Sequence, residues 1–153
     1  VRQLVGPLNP ALRTKAAMVV DYDAQLADLI AEMFEVLDSV DGAVALAAPQ
    51  IGAMQRVVVY SLPFGKIDNR GHMVNPTITR ASAKKRLVTE GCLSFPDEFW
   101  RVRRAVSCTT AYVDRFGYAK VKEWHGLGAQ MVQHELGHLD GVLLPDVAVA
   151  RVR

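Results

Sequence analysis

Cysteine is scarce in this sequence: Cys92 and Cys108 are the only two in 153 residues. That excludes a disulfide framework and makes a reducing compartment the expected setting. No apolar run approaches the roughly 20 residues that a membrane-spanning helix needs, so no membrane partner is expected. Charge of one sign is also lacking, since the formal net charge is only +2. A balance that small gives no case for nucleic acid, and no specific DNA contact is expected. The opening Val1-Arg2-Gln3-Leu4 lacks the order of a secretory signal. Repeats and low-complexity tracts are absent too. What the sequence does have is an apolar half, 50%, with ordinary glycine and proline. This is the composition of a globular chain, and its length suits one domain over 1–153 with one core.

Leu26, Ile30, Met33, Leu37 and Val40 recur at helical spacing across 23–40. Asp21 and Asp23 are candidate N-caps, and Asp41-Gly42 is the expected stop. Segments 56–62 and 73–79 are β-branched and apolar and read as strands, broken by Pro63 and Gly71. A third extended region is expected over 102–113. The turn Asp114-Arg115-Phe116-Gly117 and a return strand over 118–124 then make a hairpin. A last helix opens near Gly126 and runs to about Leu139, with Gly141 just past its end. The expected class is α+β: mostly antiparallel strands packed around a C-terminal metal-binding helix, with an N-terminal helix.

The last helix carries Gln133-His134-Glu135-Leu136-Gly137-His138. Histidines at i and i+4 share one helical face and can share a metal ion. Glu135 follows the first of them, placed to reach a water beside the ion without ligating it. The bland alternative is an exposed helix with two solvated histidines. A catalytic metal usually has three protein ligands and one open position. Downstream of His138 only 15 residues remain, with no His or Glu; Asp140 and Asp146 are there, but Asp140 lies too near in sequence to swing easily onto the same face, so the third ligand is sought upstream. Glu90-Gly91-Cys92-Leu93-Ser94-Phe95-Pro96 offers one, because a thiolate is a strong soft ligand. The alternative for Cys92 is a buried structural thiol, a description that suits Cys108 better. In Ala47-Ala48-Pro49-Gln50-Ile51-Gly52 the one polar side chain, Gln50, can donate to a developing oxyanion. Read alone, that segment is only a tight turn with a surface glutamine.

Together these pieces, in this order and spacing, resemble the peptide deformylase family across nearly the whole chain. Ala43-Val44-Ala45-Leu46-Ala47-Ala48-Pro49-Gln50 is similar to the family's GxGxAAxQ motif, matching at Ala47, Ala48 and Gln50. EGCLS is complete from Glu90 to Ser94, and QHExDH matches from Gln133 to His138 except at Gly137. Pro10-Ala11-Leu12-Arg13 is similar to the family's N-terminal Pro-x-Leu-Arg segment. The resemblance implies Cys92, His134 and His138 as metal ligands and Glu135 as the acid/base residue. It implies Gln50 and the backbone N–H of Leu93 as oxyanion donors. The implied reaction removes the N-formyl group from N-formylmethionyl peptides of nascent proteins and releases formate. The implied cofactor is one divalent ion, Fe2+ first, with Zn2+, Ni2+ or Co2+ able to occupy the site. The implied setting is the bacterial cytoplasm, or an organelle after removal of a transit peptide.

The sequence also departs from the family pattern. Ala43 and Ala45 replace glycines, and a positive φ at either would strain an alanine by roughly 1 kcal/mol or more. Gly137 stands where the family has Asp, which is expected to leave Arg104 without its partner. Gly128, Gln130 and Met131 replace apolar residues near the methionine side-chain pocket, and Phe99 replaces a substrate-contacting arginine. Few residues follow Asp146, so the long C-terminal helix of many bacterial members is not expected within 1–153. A divergent homologue with low activity or altered substrate, keeping the metal as a structural element, is therefore the competing reading. A peptidase of another HExxH family is a third, opposed by the missing downstream ligand. Lys84-Lys85-Arg86 and Arg101, Arg103 and Arg104 form basic clusters, read as solvated loops or edge strands, or as a transient ribosome contact.

Overall fold

Val57-Val58-Val59-Tyr60 is apolar at four successive positions, a pattern that suits a strand covered on both faces. The computed structural model, which describes residues 2–63 and 69–153, shows both faces covered. Val57 and Val59 point into a core shared with α1 (Ala24–Asp38), whose Leu26, Leu29, Ile30, Met33, Val36 and Leu37 fill it. Val58 and Tyr60 point the other way, towards α2 (Gly126–Leu139) and its Ala129, Met131, Val132, Leu136 and Leu139.

That strand, β2 (Val57–Ser61), belongs to a five-stranded sheet with β1 (Ala45–Ala47), β3 (Arg70–Ala81), β6 (Ser107–Val113) and β7 (Ala119–His125). The strand order is β1-β2-β3-β6-β7. A second sheet runs β4-β5-β8, from β4 (Lys85–Cys92), β5 (Phe95–Ala105) and β8 (Ala150–Val152). Every pairing within the two sheets is antiparallel. One turn of helix, α3 (Leu144–Val147), packs Leu144 beside Trp100 and Val102 of the smaller sheet. The α+β class with antiparallel strands is as expected.

Several boundaries move. Asp23 caps α1 by accepting from the Leu26 N–H at 3.0 Å, but the helix ends at Asp38, so Val40 lies beyond it. Gly71 does not break a strand. It lies inside β3 opposite Tyr60, where a Cβ would come within 2.7 Å of the Tyr60 hydroxyl. The extended region over 102–113 is two strands in two sheets, divided at Val106. There the Ser82 hydroxyl accepts from the N–H groups of both Val106 and Ser107. Arg103-Arg104 and Ala105-Val106 interrupt the apolar and polar alternation here, but nothing in them shows that the chain changes sheet. The β6–β7 hairpin and α2 lie where the sequence puts them.

Candidate metal centre

Three devices fix α2 in place. Gln133 forms a two-way clamp with the end of β5, its Oε1 accepting from the Ala105 N–H at 2.9 Å and its Nε2 donating to the Ala105 carbonyl at 3.0 Å. The buried Arg56 closes the other end, donating to the Leu139 carbonyl at 2.9 Å and to Asp140 Oδ1 at 2.8 Å. A guanidinium there also meets the negative end of the helix dipole. Finally Gly141, at φ +73°, turns the chain away with 2.6 Å between its ideal Cβ position and the Arg13 carbonyl oxygen. Only glycine fits that position.

So held, α2 turns His134 and His138 towards Cys92, the last residue of β4. One donor atom from each of the three lies within 4.8 Å of the other two. Cys92 Sγ is 3.2 Å from His138 Nε2, and the two imidazole centroids are 5.0 Å apart. His134 Nδ1 is 2.9 Å from Glu90 Oε1, which leaves Nε2 for the centre. Glu90 is buried, and both its oxygens also accept from Arg104, from Nε and from Nη2, each at 2.8 Å. Burial works against the Glu90 charge, but Arg104 and His134 outweigh it and hold the carboxyl down at about 2. Arg104 is therefore not left without a partner by Gly137, contrary to expectation, because Glu90 occupies it.

Glu135 faces a cavity that Cys92 and His134 also line, and it is buried, which pushes its carboxyl up to about 7. A carboxyl near neutrality can both take and return a proton. Its Oε2 and His138 Nδ1 are the buried side-chain polar atoms without a partner among the described residues. Gln50 is not the surface residue that its turn alone suggests, being only 1% exposed. Its Oε1 accepts from the Ala47 N–H at 2.9 Å, which aims Nε2 at Ser94 Oγ, 3.1 Å away, and Cys92 Sγ, 3.6 Å away. Leu93 lies in the tight turn between β4 and β5 and lines the same cavity, whose volume is about 700 Å³.

The donor set fits a metal ion. A thiol and two imidazoles converge, one imidazole is oriented by a carboxylate on its far nitrogen, and an unpartnered buried carboxylate oxygen stands beside them. Three protein ligands with room for a fourth is the usual form of a catalytic site. Sequence reasoning named Cys92, His134, His138, Glu135, Gln50 and Leu93, which the fold brings together, but missed the contacts of Glu90, Ser94 and Arg56. Glu90 was readable only as part of EGCLS, and nothing local marks Arg56, whose partners at the end of α2 lie more than 80 residues away.

The departures are mild in this geometry. Neither Ala43 nor Ala45 has a positive φ, so the feared strain is absent. Gly137 lies under Val142, whose carbonyl oxygen would be 3.4 Å from a Cβ there, and its own carbonyl accepts from the N–H groups of Asp140 and Val142.

Comparison with known proteins agrees with this geometry. The sequence profile of the polypeptide deformylase family matches residues 1–153. A peptide deformylase of Dehalococcoides mccartyi is 39% identical over 146 residues, covering 95% of this chain and 85% of its own. One from Acidothermus cellulolyticus is 41% identical over 138 residues, covering 90% and 73%. The crystal structure of peptide deformylase from Thermotoga maritima superposes with a TM-score of 0.90 at 33% identity, covering 97% of each chain. That of a Synechococcus elongatus peptide deformylase in complex with actinonin gives 0.89 at 32% identity, covering 96% and 78%.

Proposed function

The chain belongs to the polypeptide deformylase family, and from that premise we propose a hydrolase that removes the N-formyl group from N-formylmethionyl peptides, working through Glu135, Gln50 and Leu93 around one divalent ion held by Cys92, His134 and His138. The observation that carries the reading is the convergence of those three donors within 4.8 Å beside the buried, unpartnered Oε2 of Glu135. When bound, the ion supplies Lewis acidity to a water molecule and to the formyl oxygen.

The protein's own groups do the rest. Glu135 takes a proton from the attacking water on its carboxylate and returns it to the departing amine nitrogen. The water oxygen joins the formyl carbon, the C–N bond breaks, and formate and a free amino terminus leave. Gln50 Nε2 and the Leu93 N–H donate to the oxygen on which negative charge develops, worth roughly 3–4 kcal/mol per donor. Glu90 and Arg104 hold the His134 ring in its donor orientation throughout.

Ferrous iron is the assignment made for the ion, with Zn2+, Ni2+ and Co2+ able to take the same mixed thiolate and imidazole set. Protein purified anaerobically with ferrous iron is expected to release formate from a formyl-Met peptide. Glu135→Ala should keep its metal while turnover falls by roughly 10²–10⁴-fold. Normal turnover in that variant sinks the mechanism. Absence of turnover in the metal-loaded parent favours the divergent, non-catalytic homologue.

No helix is long and apolar enough to cross a membrane among the described residues. The cytoplasm is the proposed setting, with 1–153 as one catalytic domain. Lys85 and Arg86 lie on β4, an edge strand, and Arg101 and Arg103 are exposed on β5. We assign these positions a transient ribosome contact. Co-sedimentation that is insensitive to salt and to charge removal excludes it.

A further inference from the structure

Leu127 and Gln130 of α2 line the metal-centre cavity and also a second, smaller one of about 200 Å³. The charged residues of this second lining are of one sign. Arg86 and Arg104 contribute to it, and no aspartate or glutamate does among the described residues.

The smaller sheet brings the two arginines together. Arg86 of β4 stands directly opposite Arg104 of β5 in the antiparallel register, so both side chains leave the face turned to α2. Lys85 and Arg103 belong to the other face. Like charges at opposed positions destabilise a strand pair. Glu90 relieves only one of them, accepting from Nε and Nη2 of Arg104 while it also serves His134. Arg86 is exposed and has no ion pair among the described residues. Nη1 of Arg104 and the side-chain amide of Gln130 have no hydrogen-bond partner there either.

Two guanidinium groups and an amide thus face one small space that holds no carboxylate. Each guanidinium offers parallel N–H donors to two oxygens, and a pair of them matches a doubly charged oxyanion. At roughly 30 Å³ for each water the space is large enough for one tetrahedral group.

We propose that Arg86, Arg104 and Gln130 bind a phosphate group at a site separate from the metal centre. The phosphate is either a free anion or part of an RNA backbone, since the same donors recognise both. Its charge neutralises the surplus that the opposed arginines leave. The site does not depend on the deformylase reading.

The test titrates the full-length, metal-loaded protein in a calorimeter with two probes, inorganic phosphate and a short single-stranded RNA without terminal phosphates. At least one should bind in the millimolar range or tighter, and Arg86→Ala should weaken that binding by about 3–20-fold. Arg86→Lys should recover only part of the loss, because lysine keeps the charge without the paired donors. The bound probe should also slow dicarbonyl modification of Arg86, read by mass spectrometry, and leave Arg101 unaffected. Binding of phosphate alone assigns a free anion, and binding of RNA alone, falling steeply with salt, assigns the backbone. Absence of binding by either probe in the millimolar range overturns the site. Equal affinity in the parent and Arg86→Ala overturns it too, since it places phosphate on the metal ion instead. Full affinity in Arg86→Lys also overturns it, because a merely basic surface accepts either cation.

Discussion

Glu90 uses one carboxylate to serve two partners, Arg104 through both oxygens and His134 through Oε1. A buried acid in that position fixes which imidazole nitrogen faces the ion and raises its basicity. Glu90→Gln keeps the shape and weakens both bonds, so metal affinity should fall roughly 10–100-fold. Competition with a chromophoric chelator measures this, and an unchanged affinity removes Glu90 from the site's function. The two cysteines should separate just as clearly. Burial pushes the Cys108 thiol up to about 11, so at pH 8 it stays protonated and slow to react. The thiolate fraction rises only as pH climbs towards that value. A thiol reagent at pH 8 should therefore label Cys92 quickly once a chelator has stripped the metal, and reach Cys108 only after unfolding. Labelling of both at similar rates in the folded protein contradicts this assignment.

Helix α2 bears most of the centre, and its two ends are set by residues far from the ligands. Gly141→Ala puts a Cβ 2.6 Å from the Arg13 carbonyl oxygen at a φ that alanine tolerates poorly. The cost should be about 1–3 kcal/mol, which for a chain of this size lowers Tm by roughly 2–12 °C. A calorimetric scan showing no loss means the turn relaxes freely. Helices α1 and α2 were legible from periodicity and caps, because a helix declares itself over a dozen residues of local pattern, whereas the single turn of α3 was too short to do so. Motif spacing likewise made Cys92, His134, Glu135 and His138 legible. Strands were harder. β4 has no clear strand signal of its own: its start is a basic cluster that reads as a solvated loop or edge strand and its end belongs to EGCLS, because Lys85-Arg86-Leu87-Val88 gains its extended shape from pairing with β5, a non-local event. The change of sheet at Val106 is set by Ser82, more than 20 residues away, and nothing at Val106 itself announces it. The partner of Arg104 was misjudged for the same reason: Glu90 meets it across the sheet, although the register sets Arg86 opposite Arg104 and Trp100 opposite Glu90.

At the scale of the whole molecule, the centre joins the smaller sheet to the helix that Gln133 already clamps to it. Cys92 ends a strand of the smaller sheet, while both histidines ride on the helix packed against the larger one. An ion bound by all three ties sheet to helix, and it stabilises only the folded chain. Free metal at 100 times its Kd should contribute about 2.7 kcal/mol. Tm should therefore rise by roughly 5–11 °C on loading and depend on metal concentration. A Tm indifferent to chelator means that the donors do not bind metal together. The smaller sheet has one more consequence. β8 lies along β5 with Val152 opposite Phe99, and Arg151 on the same strand grips Glu98. Through Phe99 and Glu98, which line the cavity, β8 braces one side of its wall. A deletion of 150–152 should thus unsettle one side of the cavity wall while leaving Cys92, His134, His138 and Glu135 in place.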